Sequence, residues 1–398
     1  MSVNTTLAIA AVAAATTLAA GAAGAQTLTT LYEFKGGADG AGPNDGLLDL
    51  GGTLYGTTVQ GGANGYGTVF TVDGSTGTET VLYNFQGTAQ GGHDGTYPGA
   101  GLVLHAGVLY GTTLHGGTSG LGTVYKFNPN TGKEAVVYSF AGGTDGLGPA
   151  SGLICQGGAL YGTTTEGGGP CNGPGGSAGC GTVFKIDLAT GAESIYYHFK
   201  GGPNDGQMPL YGALIYHDGF FYGTTYEGGA ANGGTVFKLD ATTGAETVLH
   251  SFAGGPHDGA APYAGVVYSQ GRLYGATSTG GGNANGTVFS VDPATGAEKV
   301  IYNFGSERSP SVPMAGLIAQ GGLLYGTTSQ GGTHHLGTVF SIDPATGGVT
   351  LVYSFIGGRY HSEDPGGLVY NQGTLYGTTG GGGGVAHPYY GTVYKLTP

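Results

Sequence analysis

Tryptophan is absent from the 398-residue sequence, cysteine occurs three times, and only eleven residues are lysine or arginine. Each scarcity closes a class of function. With 24 acidic residues and a formal net charge of −13, the chain lacks the cationic surface that neutralises phosphates, so nucleic acid is not an expected partner. Three scattered cysteines do not make a zinc site, and the sequence holds no Cys-x-x-Cys, no His-Glu-x-x-His and no phosphate-binding loop. Long apolar runs are missing after residue 26, so no stable insertion in a membrane is expected.

What is abundant is glycine, at 90 residues, together with 27 tyrosines. An internal glycine costs a helix about 1 kcal/mol relative to alanine, so this content excludes ordinary helical architecture. The glycines follow no three-residue period, which excludes collagen. Low charge and many aromatics also argue against a disordered polar tract.

The first 25 residues form an apolar, alanine- and threonine-rich run ending in Ala23-Gly24-Ala25 before Gln26. They read as a signal peptide, although no Lys or Arg precedes the apolar stretch; a membrane anchor is the alternative. In an exported chain Cys171 and Cys180, which bracket a glycine-rich loop, are candidates for a local disulfide, but spacing alone leaves the bond open. Cys155 falls in a predicted strand and reads as a small buried residue.

One segment, Leu-Tyr-Gly-Thr-Thr, dominates self-comparison; its tyrosine recurs as Tyr55, Tyr110, Tyr161, Tyr222, Tyr274, Tyr325 and Tyr376. Most spacings are 51 or 52 residues, with insertions near Thr88–Gly91 and at the cysteine loop stretching two of them. Each unit carries four strand-like segments, in the first copy Gly46-Leu47-Leu48, Leu54 to Thr58, Gly67 to Phe70 and Val81 to Phe85. Turns such as Asp292-Pro293-Ala294-Thr295-Gly296 join the third and fourth. Four antiparallel strands in about 50 residues is the size of a propeller blade.

The ends of the chain distinguish a ring from an open stack. After Gln26 the sequence starts with a fourth segment alone, Leu31-Tyr32-Glu33-Phe34, and it finishes with the first three segments of a unit. Joining them completes a seventh blade and removes exposed sheet edges. The expectation is an all-β fold: residues 26–398 form one seven-bladed β-propeller of four-stranded antiparallel blades, with residues about 28 to 34 pairing beside 391 to 397 as the N-terminal strand closes the last blade.

Leu-Tyr-Gly-Thr-Thr, a following Gly-Gly, Gly-Thr-Val-Phe and Leu-Tyr-x-Phe together resemble the GloVer tandem repeat of bacterial exported proteins, whose activity is largely undefined. The resemblance extends over nearly the whole chain after residue 26 and implies a free form that is secreted, periplasmic or at the cell surface. Similarity to kelch and WD repeats is weaker, as tryptophan is absent.

If the four strands run from inside to outside, the links from fourth strand to next first strand and from second to third strand emerge on one face. That face has the longer, more varied loops, where rigid scaffolds carry function. Asp39, Asp94, Asp145, Asp205 and Asp258 each precede a glycine there. They read as turn devices, with calcium as the alternative; no copy has a full calcium-loop spacing, so no cofactor and no metal is expected. Two positions after Thr-Thr the repeat varies freely, and successive blades offer His115, Glu166 and Glu227, which read as solvated loop polarity or as an acid/base set. Tyr97, Tyr211 and Tyr263 lie on the same loops and offer flat apolar surfaces with polar tips, suited to a sugar ring or to packing between blades. In the sixth and seventh copies the Asp-Gly pair gives way to segments containing Arg308, Arg359 and His361, where an arginine could hold a carboxylate such as a uronic acid.

These observations lead to a non-enzymatic, monomeric extracellular binding or scaffold module that recognises a glycan or protein through its long-loop face. The alternative is a polysaccharide lyase or hydrolase working at the channel mouth with His115, Glu166 and Glu227 as catalytic residues. Fold alone does not choose between them.

Overall fold

The computed structural model describes residues 27–43, 46–87, 94–173, 178–305, 309–356, 365–380 and 390–397. Among them are seven four-stranded antiparallel sheets and no α-helix; the sheets are the blades of a β-propeller. The leader read at 1–25 lies outside the described residues, as do Arg308, Arg359 and His361.

Blade 1 is built from Leu48–Leu50, Thr53–Thr58, Thr68–Asp73 and Glu79–Asn84, hydrogen-bonded in chain order. Blades 2 to 6 repeat this order, their first strands being Val103–His105, Ile154–Gln156, Ile215–His217, Val267–Ser269 and Ile318–Gln320. The first strand of blade 1 begins later than the sequence pattern placed it, because Leu47 drops out of the ladder into the core beside Phe70. Blade 7 joins both ends of the chain: Pro365–Asn371, Thr374–Thr379 and Thr392–Leu396 are completed by Leu28–Glu33. Leu28 stands opposite Leu396 and Glu33 opposite Thr392, so the expected closure is the one observed.

The repeated motif is a packing device. Glycine of Leu-Tyr-Gly-Thr-Thr lies opposite the aromatic residue of Gly-Thr-Val-Phe, as Gly56 does to Phe70. A Cβ on Gly56 would sit 2.5 Å from the Phe70 ring, closer than two carbons can approach. Only glycine leaves room for that ring. The second threonine is equally fixed: Thr58 and Thr68 share a buried hydroxyl hydrogen bond of 2.9 Å, and Thr113–Thr123, Thr164–Thr182, Thr225–Thr235, Thr277–Thr287, Thr328–Thr338 and Thr379–Thr392 repeat it. Cross-strand threonine pairs of this kind satisfy both hydroxyls where water does not reach. The first threonine reaches outward instead, Thr112 donating to the carbonyl of Ser151 and Thr224 to that of Ala264 at the entry to the following blade.

The core lies between blades. Val69 and Phe85 of blade 1 pack with Leu102, Leu109, Tyr125 and Phe127 of blade 2, and equivalent clusters fill the other interfaces. Fully burying a side chain such as Phe85 contributes roughly 1.5–3 kcal/mol. The closing interface is built like the rest, with Phe34 and Val393 of blade 7 against Leu47, Leu54, Phe70 and Val72 of blade 1.

Candidate binding face and interblade carboxylate clusters

The link from second to third strand and the link between blades meet in short two-stranded ribbons. Gly95–Thr96 pairs with His115–Gly116, Gly146–Leu147 with Glu166–Gly167, Gly206–Gln207 with Glu227–Gly228, and Gly259–Ala260 with Thr279–Gly280. Single bridges, Ala41 to Gln60 and Ser311 to Gln330, take their place in blades 1 and 6. The long-loop face is therefore held by main-chain ladders, which the sequence pattern did not announce.

These ribbons explain why the position two residues after Thr-Thr varies. The second threonine donates its hydroxyl to that residue's carbonyl, from Thr113 to His115, Thr164 to Glu166 and Thr225 to Glu227. Main chain is fixed and side chain is left free. Gln60, His115, Thr279 and Gln330 are exposed, while Glu166 and Glu227 are half-buried. His115, Glu166 and Glu227 stand on three separate ribbons and do not gather into one metal-ligating group. The His115 ring meets Tyr97 edge-on at 5.7 Å.

Tyr211 and Tyr263 do come together. Their rings stack at 5.1 Å with planes 27° apart, and Tyr226 closes on Tyr263 edge-on at 6.0 Å. Tyr211 remains 41% exposed. Burial and the neighbouring Tyr211 push the Tyr263 phenol up to about 12, so it stays a neutral hydrogen-bonding group at any physiological pH. Tyr226 adjoins Glu227 in sequence; it was missed because it stands between the motif threonines and the variable residue, where neighbouring copies carry Leu114 and Thr165.

A second repeated site lies between the outer strands of neighbouring blades. Each Asp of the Asp-Gly pairs caps its loop by accepting a backbone N–H, as Asp94 does from Gln86 and Asp205 from Lys200. The same carboxylates accept a phenol hydroxyl from the fourth strand: Tyr32 to Asp39 at 2.8 Å, Tyr83 to Asp94 at 2.6 Å, Tyr138 to Asp145 at 3.0 Å and Tyr197 to Asp205 at 2.9 Å. A glutamate from the following blade faces each pair, namely Glu79, Glu134, Glu193 and Glu246. Each keeps Oε1 buried without a hydrogen-bond partner. Burial, reinforced by the nearby aspartate, pushes Glu134 and Glu193 up to about 7 and Glu246 to about 8. Tyr83, Asp94 and Glu134 line a cavity of about 380 Å³ on the rim between blades 1 and 2.

Between blades 5 and 6 and between blades 6 and 7 the Asp-Gly aspartate and the facing glutamate are both missing. The loops after Phe304 and Phe355 carry no Asp-Gly pair, and Val349 and Leu28 occupy the glutamate positions four residues before Tyr353 and Tyr32. Glu79/Tyr83, Glu134/Tyr138, Glu193/Tyr197 and Glu298/Tyr302 stand four apart in the outer strands, but a β-bulge between the two residues of each pair turns them to opposite faces, so the glutamate meets the preceding blade and the tyrosine the following one. Cys171 and Cys180 are joined by a disulfide with Cα atoms 5.2 Å apart, pinning the inserted loop of blade 3.

The sequence profile of the Gloeobacter/Verrucomicrobia repeat matches residues 16–175 and 171–394. The chain belongs to this repeat family. No curated relative matches it. Among solved structures, the repeat-family chain is similar to an oligogalacturonate lyase in complex with manganese, at 14% identity and TM-score 0.53, over 94% of this chain and 96% of that one. It is also similar to an oligogalacturonate lyase from Vibrio parahaemolyticus, at 12% identity and TM-score 0.54 over 93% of each chain. The extracellular domain of a putative hybrid two-component system from B. thetaiotaomicron aligns at 11% identity and TM-score 0.58, over 92% of this chain and 39% of that one. At these identities the likeness shows the propeller fold alone. No helix among the described residues is long and apolar enough to cross a membrane.

Proposed function

We propose that this repeat-family propeller is an extracellular carbohydrate-binding module whose sugar platform is the tyrosine cluster on the long-loop face. The observation that carries the reading is the stacked pair of Tyr211 and Tyr263, with Tyr211 open to solvent. A tyrosine ring offers an apolar face to the C–H side of a pyranose and a hydroxyl to its substituents. The cluster is drawn from two links between blades, which carry Tyr211 and Tyr263, and from Tyr226 between the strand Phe220–Thr225 and the ribbon strand Glu227–Gly228. Glu227 follows Tyr226 in the chain, and a carboxylate next to the cluster would favour neutral or amino sugars over uronic acids. The disulfide suits an oxidising, exported location.

The enzymatic alternative rests on His115, Glu166 and Glu227 acting with Arg308 or Arg359. His115, Glu166 and Glu227 stand on three separate ribbons and do not gather into one group of three ligand atoms, which favours the binding reading. Binding on a glycan array, together with a turnover screen on acidic polysaccharides, tests both readings. Retention of neutral glycans without product formation is expected; product formation abolished by Glu166→Gln would overturn the binding reading.

A further inference from the structure

The five interblade carboxylate clusters are not identical. Four place a tyrosine against the aspartate; between blades 4 and 5 the equivalent residue is His250, facing Asp258 of the connecting loop and Glu298 of blade 5. The replacement changes the chemistry. A phenol hydroxyl donates a hydrogen bond and is a poor ligand while protonated, whereas neutral imidazole presents a nitrogen lone pair.

We propose that His250, Asp258 and Glu298 form a binding site for a borderline divalent cation of the Zn²⁺ class, clipping the outer strand of blade 4 to that of blade 5. One ligand atom from each residue lies within 4.8 Å of the others, the one such set of His, Cys, Asp or Glu among the described residues. Nε2 of His250 already stands 3.4 Å from Oδ1 of Asp258. That equals the spacing of roughly 3.4 Å between two ligand atoms of a tetrahedral ion with bonds near 2.1 Å. Oε1 of Glu298 is buried and has no hydrogen-bond partner, so a lone pair is free to turn toward an ion. The Asp258 carboxylate is oriented by the backbone N–H groups of Ala253 at 2.7 Å and Gly259 at 2.7 Å, an outer shell that holds a ligand in place.

The nearby cation does not occupy the position. Arg272 donates from Nε to Ser290 at 3.0 Å and from a terminal nitrogen to the Ala297 carbonyl at 2.9 Å, with Asp292 at 3.8 Å. His250 and Asp258 keep 20% and 16% of their side-chain surface exposed, enough for an ion to enter and for water to fill the fourth position. Imidazole with two carboxylates selects Zn²⁺ or a similar first-row ion over calcium, which takes six to eight oxygens. Ligands from blade 4, its connecting loop and blade 5 make the ion a clip between outer strands.

The repeat supplies its own controls. His250→Tyr installs the residue that four equivalent clusters already carry, so the fold is retained while the lone pair is lost. Tyr197→His builds the same set with Asp205 and Glu246 one interface earlier. Full-length protein freed of metal with a chelator is titrated with Zn²⁺ by calorimetry and followed by thermal unfolding. The native chain is expected to take up one tight equivalent and to melt at a higher temperature with the metal. His250→Tyr is expected to weaken binding by more than about tenfold and to lose the thermal shift, Glu298→Gln to do the same, and Tyr197→His to bind two equivalents. No tight equivalent in the native chain, or a stoichiometry and melting shift unchanged in all three variants, overturns the site.

Discussion

Tyr83 of blade 1 and Glu134 of blade 2 belong to different sheets, yet the phenol oxygen lies 3.4 Å from Oε2 of the glutamate while also donating to Asp94. A hydroxyl has one proton, and it serves the aspartate. Glu134 is left half-buried beside a second carboxylate, which favours its neutral form and pushes it up to about 7.

A raised carboxyl pKa has a definite sign for stability. Below the unfolded value near 4.5 the glutamates are neutral in both states; between there and about 7 the unfolded chain gives up its protons first, so stability falls as pH rises. Glu193, facing Tyr138 and Asp145, behaves alike. Glu134→Gln and Glu193→Gln are expected to raise stability at pH 8 and leave it nearly unchanged at pH 5, solvent screening reducing each gain to on the order of 1 kcal/mol. Denaturant unfolding of both variants across this range checks the sign.

The paired threonine hydroxyls predict a loss wherever one partner is removed. Thr164→Val keeps the shape but strands the Thr182 hydroxyl in a fully buried site and removes the donor to the Glu166 carbonyl. A cost of about 1–3 kcal/mol is expected, with proton signals of the blade 3 loop changing first in the NMR spectrum.

Tyr125 makes the opposite prediction. Its hydroxyl is fully buried without a partner, at a position where Phe70, Phe184, Phe237, Phe289 and Phe340 stand in other blades. Tyr125→Phe removes an unsatisfied polar group and is expected to stabilise the protein by about 1 kcal/mol, read as a higher urea midpoint with an unchanged slope.

The fold was legible because its determinants are local and repeated. Gly56 and Thr58 stand directly opposite Phe70 and Thr68 across two strands, and the equivalent residues of the other copies stay opposed even where insertions lengthen the link between them, as from Thr164 to Thr182 and from Thr379 to Thr392. Closure was legible too, since Leu28–Glu33 is an unmistakable fourth strand without its blade. The carboxylate clusters were not, because Tyr83, Asp94 and Glu134 meet only when two blades twist together. Reading the Asp-Gly pairs as turn devices captured half of their role; the phenol donated by the outer strand is the other half. Nor did spacing reveal the Tyr211–Tyr263 stack, whose members approach from two different links between blades.

The central claim is that the long-loop tyrosines bind sugar, and it is tested most directly by comparing glycan retention of the native protein with Tyr211→Ala and Tyr263→Ala on the array. Each substitution is expected to weaken binding by about tenfold or more, in line with the loss of a stacked aromatic contact, with melting temperature little changed for the exposed Tyr211. Glycan binding that survives both substitutions at native strength would contradict the account.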